Sequence, residues 1–94
     1  DDRLKEKDAW DIYYCLLAYP GGIDALVEEF RPHLSHGLVR EGLGKVAAHF
    51  SSLKSFGPKF VADFEEAGDP EERERLIRDA FERINAFLNR LGLA

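Results

Sequence analysis

The sequence has no methionine, a single cysteine and no long apolar run among its 94 residues. One cysteine excludes an internal disulfide and a metal site built on a cysteine cluster. Because disulfides belong to oxidising compartments, we expect a cytoplasmic protein. No segment approaches the roughly 18 apolar residues of a membrane-spanning helix, and no signal peptide is visible. We therefore expect no membrane partner.

Basic residues are also scarce compared with acidic ones. The chain carries 13 Lys and Arg against 18 Asp and Glu, a formal net charge of −5. A general binding footprint for nucleic acid requires an excess of positive charge along one surface. We therefore expect no direct nucleic-acid binding.

β-Strand signals are absent as well, since the chain has neither an alternating run of Val, Ile and Thr nor an Asn-Gly or Asp-Gly turn. Helical periodicity between Gly and Pro breaks predicts one all-α domain over residues 1–94, a single bundle of about five helices. The missing methionine and the start inside a charged, helix-like segment indicate the C-terminal part of a longer protein.

Turn and capping residues divide the bundle. Pro20-Gly21-Gly22 ends the first helix, Ser35 caps the third, and Asp69 caps the fifth. Gly42, on the apolar face of the third helix, predicts a close approach by another helix. The expected helices cover about residues 2–18, 23–30, 35–50, 58–68 and 69–92, with Phe60, Val61 and Phe64 on the inner face of the fourth and Phe81 in the buried stripe of the fifth.

The stretch from Lys7 to Tyr19, most of which lies in the first helix, holds the only Trp, the only Cys and all three Tyr. Trp10, Tyr13, Tyr14 and Leu17 share one face at helical spacing, and other apolar residues form a second face. A helix that is apolar nearly all round is usually buried. We therefore expect this helix at the centre of the bundle, with the fifth helix packed along it and Cys15 as a small core residue.

Polar residues concentrate at the start of the first helix, where Lys7, Asp8 and Asp11 are the candidate site residues. Spacing alone favours a structural role, because carboxylates stabilise a helix N-terminus and Lys7 can pair with Asp11 at i, i+4. His33, His36 and His49 lack a shared face and acidic companions, so we expect no metal site. The arginines of the fifth helix have carboxylate partners at helical spacing, which is typical of a solvated face.

Residues 7–14, Lys-Asp-Ala-Trp-Asp-Ile-Tyr-Tyr, resemble a stretch of the AbiEii-type nucleotidyltransferase-like family, which belongs to the DNA polymerase β superfamily. That family carries Lys-Asp-x-x-Asp-[Ile/Leu]-Tyr in its C-terminal helical half. Residues 56–64 and 78–83 are similar to uncharacterised bacterial members of the same group.

The resemblance implies an N-terminal catalytic domain in the same protein, which would hold Mg²⁺ and a nucleoside triphosphate on paired aspartates. Lys7 would meet phosphate, and Asp8 and Asp11 would orient it or the acceptor. This chain has neither the family's Gly-Ser motif nor its metal-binding Asp pair, so we expect it to be non-catalytic alone and to bind no cofactor itself. The alternative is a stand-alone helical interaction module that forms a homodimer through an apolar face.

Overall fold

The computed structural model describes residues 6–93, with side chains from Ala9 onward. It contains five α-helices and one short 3₁₀ turn, and no strand occurs within this part of the chain. The predicted all-α bundle of about five helices is therefore confirmed. The elements are α1 (Glu6–Ala18), α2 (Gly22–Phe30), the 3₁₀ turn (Arg31–His33), α3 (Gly37–His49), α4 (Phe56–Phe64) and α5 (Pro70–Arg90).

α4 is the main packing partner of both α1 and α5, which were expected to pack mainly on one another. Both α1 and α5 make their most extensive contacts with α4, and their contact with each other is smaller. The first helix was predicted to be the central one, packed along the fifth. The structure instead has α4 as the helix on which both α1 and α5 mainly pack. The physical reason is the small size of the inward residues of α4, where Val61 and Ala62 are completely buried, because small side chains let neighbouring helices approach closely.

The core joins the end of α3 to α4 and α5. Phe50, Val61, Ile84 and Leu88 are each fully buried. Burial of one such side chain stabilises a fold by about 1.5–3 kcal/mol. The buried stripe of α5 is confirmed at Ala80, Ile84, Phe87, Leu88 and Leu91. Phe81 is only half-buried and lies outside the main core cluster, so its predicted place in that stripe is wrong.

Gly57 is the glycine that permits close packing. A Cβ placed on Gly57 would lie 2.6 Å from the carbonyl oxygen of His49 and 2.6 Å from the Phe50 ring. Gly42 was assigned this role from the sequence, but a Cβ there would meet nothing within 4 Å. The close approach therefore occurs where the end of α3 meets the start of α4, and α3 presents Gly42 to solvent.

The turn between α1 and α2 confirms the predicted stop. Gly21 and Gly22 have φ values of 90° and 78°, a region that residues with a Cβ rarely adopt. The predicted start of α1 near Asp2 lies outside the described residues. The N-cap of α3 lies one residue later than predicted, because Nδ1 of His36, not the side chain of Ser35, accepts a hydrogen bond from the Leu38 N–H at 3.3 Å.

α4 differs from its predicted bounds at both ends. It begins at Phe56, which puts Pro58 at the third helical position, where an N–H would still lack an intrahelical acceptor. It ends at Phe64 rather than Gly68, because Glu66 takes a left-handed conformation with φ 56°. The Glu66 and Ala67 N–H groups then bond to the carbonyls of Asp63 and Ala62, at 3.1 and 3.4 Å, which is a Schellman motif.

Both ends of α5 match the prediction. Oδ1 of Asp69 accepts a hydrogen bond from the Glu71 N–H at 3.4 Å, so Asp69 is the N-cap. Gly92, with φ 79°, ends the helix in the same Schellman geometry as Glu66. The predicted carboxylate partner at helical spacing is confirmed for Arg83, whose Nε lies 2.8 Å from Asp79 Oδ2. None of the helices described is both long enough and apolar enough to cross a membrane.

Candidate docking surface

α1 buries one side only. Ala9, Tyr13 and Leu16 face the core, whereas Tyr14 is 51% exposed and Leu17 is 45% exposed. The expectation that this helix is buried nearly all round is therefore wrong. Cys15 is also exposed, which corrects its assignment as a core residue. The remaining helices cover only part of the circumference of α1.

α4 presents a row of phenylalanines beside this open side of α1. Phe56, Phe60 and Phe64 follow one another at i, i+4 and i+8, so they share a stripe of the helix. Phe56 is 66% exposed, Phe64 is 41% exposed and Phe60 is partly buried. The assignment of Phe64 to the inner face is therefore wrong, since Val61 and Ala62 take the inward positions.

Ring contacts join the two helices into one surface. The Trp10 ring stacks on Tyr14 with centroids 4.8 Å apart and planes 14° from parallel. It also meets Phe64 at 5.3 Å, which places the start of α1 beside the end of α4. Phe56 stacks on Phe60 at 5.7 Å. We call this surface the aromatic face; it consists of Trp10, Tyr14, Leu17, Phe56, Phe60 and Phe64.

A polar group borders the aromatic face at the end of α4. Nε1 of Trp10 donates a hydrogen bond to the exposed carboxylate of Glu65. The indole therefore has its one polar atom satisfied, and its ring remains available for apolar contact. An apolar centre with a charged edge is the usual composition of a protein interface.

Hydrogen bonds behind the aromatic face fix α1 to α5. The Tyr13 hydroxyl donates to Asp79 Oδ2 at 2.5 Å, and Arg83 Nε donates to the same oxygen at 2.8 Å. Burial of the phenol, together with its hydrogen bond to the Asp79 carboxylate, raises the pKa of Tyr13 to about 12. The Asp79 carboxylate also raises the pKa of Arg83. Tyr13 is therefore a neutral donor, and the cluster holds α1 in one orientation.

A second polar contact holds α4 to α5. Arg73 Nη1 donates to Asp63 Oδ1 at 2.6 Å, and both side chains are partly exposed. An ion pair of this exposure contributes about 0–1 kcal/mol, so its main effect is on orientation. The helices that carry the aromatic face are thus each tied to α5.

The predicted site residues lie at one end of the helix that carries half of this face. The side chains of Lys7 and Asp8 fall outside the described residues. Asp11 is half-buried and precedes Tyr14 by three positions, so it flanks the aromatic face on α1. The structure therefore places Asp11 beside an exposed apolar surface, a relation that the sequence did not indicate.

The histidines serve different local structures. His36 caps α3, and His33 lies exposed just after α2. Within the described part of the chain, no group of three or more His, Cys, Asp or Glu side chains could hold a metal ion.

Phe56, Phe60 and Phe64 are the functional candidates that the sequence analysis missed. Their i, i+4, i+8 spacing was visible, but α4 also carries Val61 and Ala62 on another side. A short helix that is apolar on both sides cannot bury all of its apolar side chains in a small domain. The excess of apolar residues on α4 was therefore the sequence signal for an exposed apolar stripe. Comparison with models of known protein families, with curated proteins and with solved structures gives no match.

Proposed function

We propose that this chain is a helical docking domain that packs on another folded domain through the aromatic face. The carrying observation is that exposed Tyr14 of α1 and exposed Phe64 of α4 both contact the Trp10 ring, which joins the apolar surfaces of the two helices. Contiguous exposed apolar patches on soluble domains commonly mark interaction sites. Aromatic anchors on a rigid support supply most of the binding energy in such interfaces.

The proposed partner is the catalytic domain of a nucleotidyltransferase in the same protein, as the resemblance of residues 7–14 implies. That domain would bind Mg²⁺ and the nucleoside triphosphate, and this chain would be non-catalytic alone. Support comes from the position of Asp11, which follows Trp10 and flanks the aromatic face. Docking through that face brings the N-terminal end of α1 to the boundary between the domains, where ligand sites commonly form.

In this arrangement Lys7, Asp8 and Asp11 line the substrate cleft. Nucleotidyl transfer depends mostly on positioning and on neutralising charge on phosphate. A lysine supplies positive charge to phosphate oxygens, and carboxylates orient the lysine or the acceptor group. A helix tied to the core by Tyr13 and Asp79 holds such groups at fixed positions, as a site requires.

The test uses the complete reading frame that contains this chain. We expect Tyr14→Ser with Phe64→Ser to lower nucleotidyl transfer by about 10²-fold, because the misplaced domain no longer completes the cleft. Leu38→Ser is the matched control, since Leu38 is 74% exposed on α3 and lies outside the aromatic face. Equal activity in the double variant and the control, with both folded, would contradict the proposal.

The second candidate is a homodimer formed through the same face. Its support is the presence of two ring stacks on this face, Trp10 on Tyr14 and Phe56 on Phe60. A two-fold axis would pair the face of one copy with the same face of a second copy. Sedimentation equilibrium of the 94-residue chain separates the candidates. A dimer that Tyr14→Ser with Phe64→Ser converts to a monomer favours the homodimer, and a monomer in both cases favours docking on another domain.

A further inference from the structure

An apolar cavity of about 370 Å³ lies on the side of α1 away from the aromatic face. Ile12, Cys15 and Tyr19 line it from α1 and the turn that follows, Leu43 and Val46 from α3, and Phe87 from α5. α2 closes a further side. Four helices therefore surround a space that their own side chains do not fill.

The lining determines which molecules this cavity could hold. Most of the lining side chains are aliphatic or aromatic, and among the residues whose side chains the structure describes, none that carries a formal charge contributes to the wall. An apolar cavity of about 150 Å³ lined by Leu, Ile and Phe is large enough to bind benzene. This one has more than twice that volume and falls within the range of small-molecule sites, about 300–1,000 Å³.

The mouth of the cavity carries a few polar groups. A neighbouring recess of about 320 Å³ shares Tyr19, Leu26 and Phe30 with the cavity and adds Glu29 and His33. Burial of the phenol, followed by the charge of the nearby Glu29 carboxylate, raises the pKa of Tyr19. The polar end of a ligand would lie here, next to a carboxylate that disfavours an anion.

We propose that this cavity is a binding site for an uncharged, mainly apolar small molecule with at most one hydrogen-bonding group at its end. A helix from a partner protein, with its diameter of about 10–12 Å, is too wide for the space. A charged ligand would leave its charge without a counter-charge among these side chains, which is unfavourable. This inference is independent of docking, because no residue of the aromatic face lines the cavity.

Cys15 provides the readout. It is the only cysteine in the chain, its side chain is exposed, and it lines the cavity. Decanol serves as the probe, with decanoate as a charged probe of equal chain length. We expect decanol to slow alkylation of Cys15 and to raise the melting temperature, and decanoate to bind at least about tenfold more weakly because its carboxylate must be desolvated.

Filling variants show whether the cavity itself is responsible. Val46→Phe adds a ring inside the cavity and should abolish both effects of decanol, whereas Leu38→Phe, exposed on the same helix, should retain them. Should Val46→Phe fail to fold by circular dichroism, Ile12→Phe fills the cavity from the opposite wall. The proposal is overturned if decanol leaves wild-type Cys15 unprotected, if decanoate protects it equally, or if a folded filled variant is still protected.

Discussion

α4 and α3 illustrate two ways in which this chain packs a helix. α4 lies against both α1 and α5, and its Gly57 admits the Phe50 ring at a distance that no Cβ could tolerate. α3 makes limited contact with α4 and α5, and its Gly42 and Gly44 have nothing within 4 Å of a Cβ position. The same residue type therefore allows close packing in one helix and leaves exposed backbone in the other.

The closer packing of α4 and the looser packing of α3 correspond to two different surfaces of the molecule. α1, α4 and α5, which we call the platform, are bound by polar contacts from Asp79 and Asp63 and carry the aromatic face. α3 reaches the core through Leu43 and is held most firmly at its C-terminal end, where Phe50 is fully buried and its carbonyl accepts a hydrogen bond from Asn85 at 2.8 Å. Its remaining length stands away from α1, and the cavity lies between them.

The largest effect on the free energy of unfolding is expected from Leu→Ala substitutions, one made in the platform and one made in α3. Leu88→Ala empties a fully buried site in the platform and should lower the free energy of unfolding by about 3–5 kcal/mol. Leu43→Ala on α3 borders an existing cavity and should cost less, about 2–3 kcal/mol. Urea denaturation of both variants measures the difference, and equal losses would contradict the account.

A smaller effect is expected from the glycines. Gly57→Ala puts a methyl group against the backbone of His49 and should destabilise the fold by about 1–3 kcal/mol. Gly44→Ala meets no neighbour and should stabilise α3 by up to about 1 kcal/mol through its better helix propensity. Thermal melts of the pair give opposite signs on this account. A loss of stability in both variants would show that α3 is packed as closely as α4.

Alkaline pH should weaken the platform through Tyr13. Its pKa is raised from 10.0 to about 12, so the folded state holds the phenolic proton more tightly than the unfolded state. The resulting stabilisation is complete below pH 10 and is lost as the pH rises towards 12. The stability difference between wild type and Tyr13→Phe should therefore shrink across this interval. A difference that stays constant in urea denaturation at each pH would remove Tyr13 as the cause.

The smallest effect on the free energy of unfolding is expected from substitutions at the C-terminal end of α4. Glu66 adopts the left-handed conformation that Gly92 adopts at the equivalent position of α5. Glu66→Gly should stabilise the domain by about 1 kcal/mol, because glycine takes this conformation without a steric penalty. Gly92→Ala is the matched opposite and should destabilise by a similar amount. Unchanged melting temperatures in both variants would show that the two helix ends are not under this constraint.

Helix number, both ends of α5 and most of its buried stripe could be predicted, because periodicity and capping chemistry are local properties of the sequence. Asp69 and Gly92 are examples, and both are confirmed. Gly42 and Gly57 could not be told apart, since each adjoins apolar residues and only tertiary packing decides which one meets another chain segment. The end of α4 at Glu66 was missed because a glutamate rarely adopts positive φ.

The site was less predictable than the fold. The sequence identified the composition of α1, but the exposed side of that helix depends on where α4 and α5 lie. Cys15 was therefore expected inside and is exposed, and Tyr14 is exposed on a helix that was expected to be buried nearly all round. Asp11 was selected from its position at the polar start of the first helix and from a resemblance. Its place beside the aromatic face depends on contacts between residues far apart in the chain, such as Trp10 with Phe64.

Native-state hydrogen exchange tests the central claim, that a rigid platform carries the aromatic face while α3 stands apart. Amide protection reports the free energy of local opening, and elements with few buried contacts open more readily. We predict that amides in the first two turns of α3 exchange at least about tenfold faster than the slowest amides of α4 and α5. Protection in α3 equal to that in α4 and α5 would contradict the account.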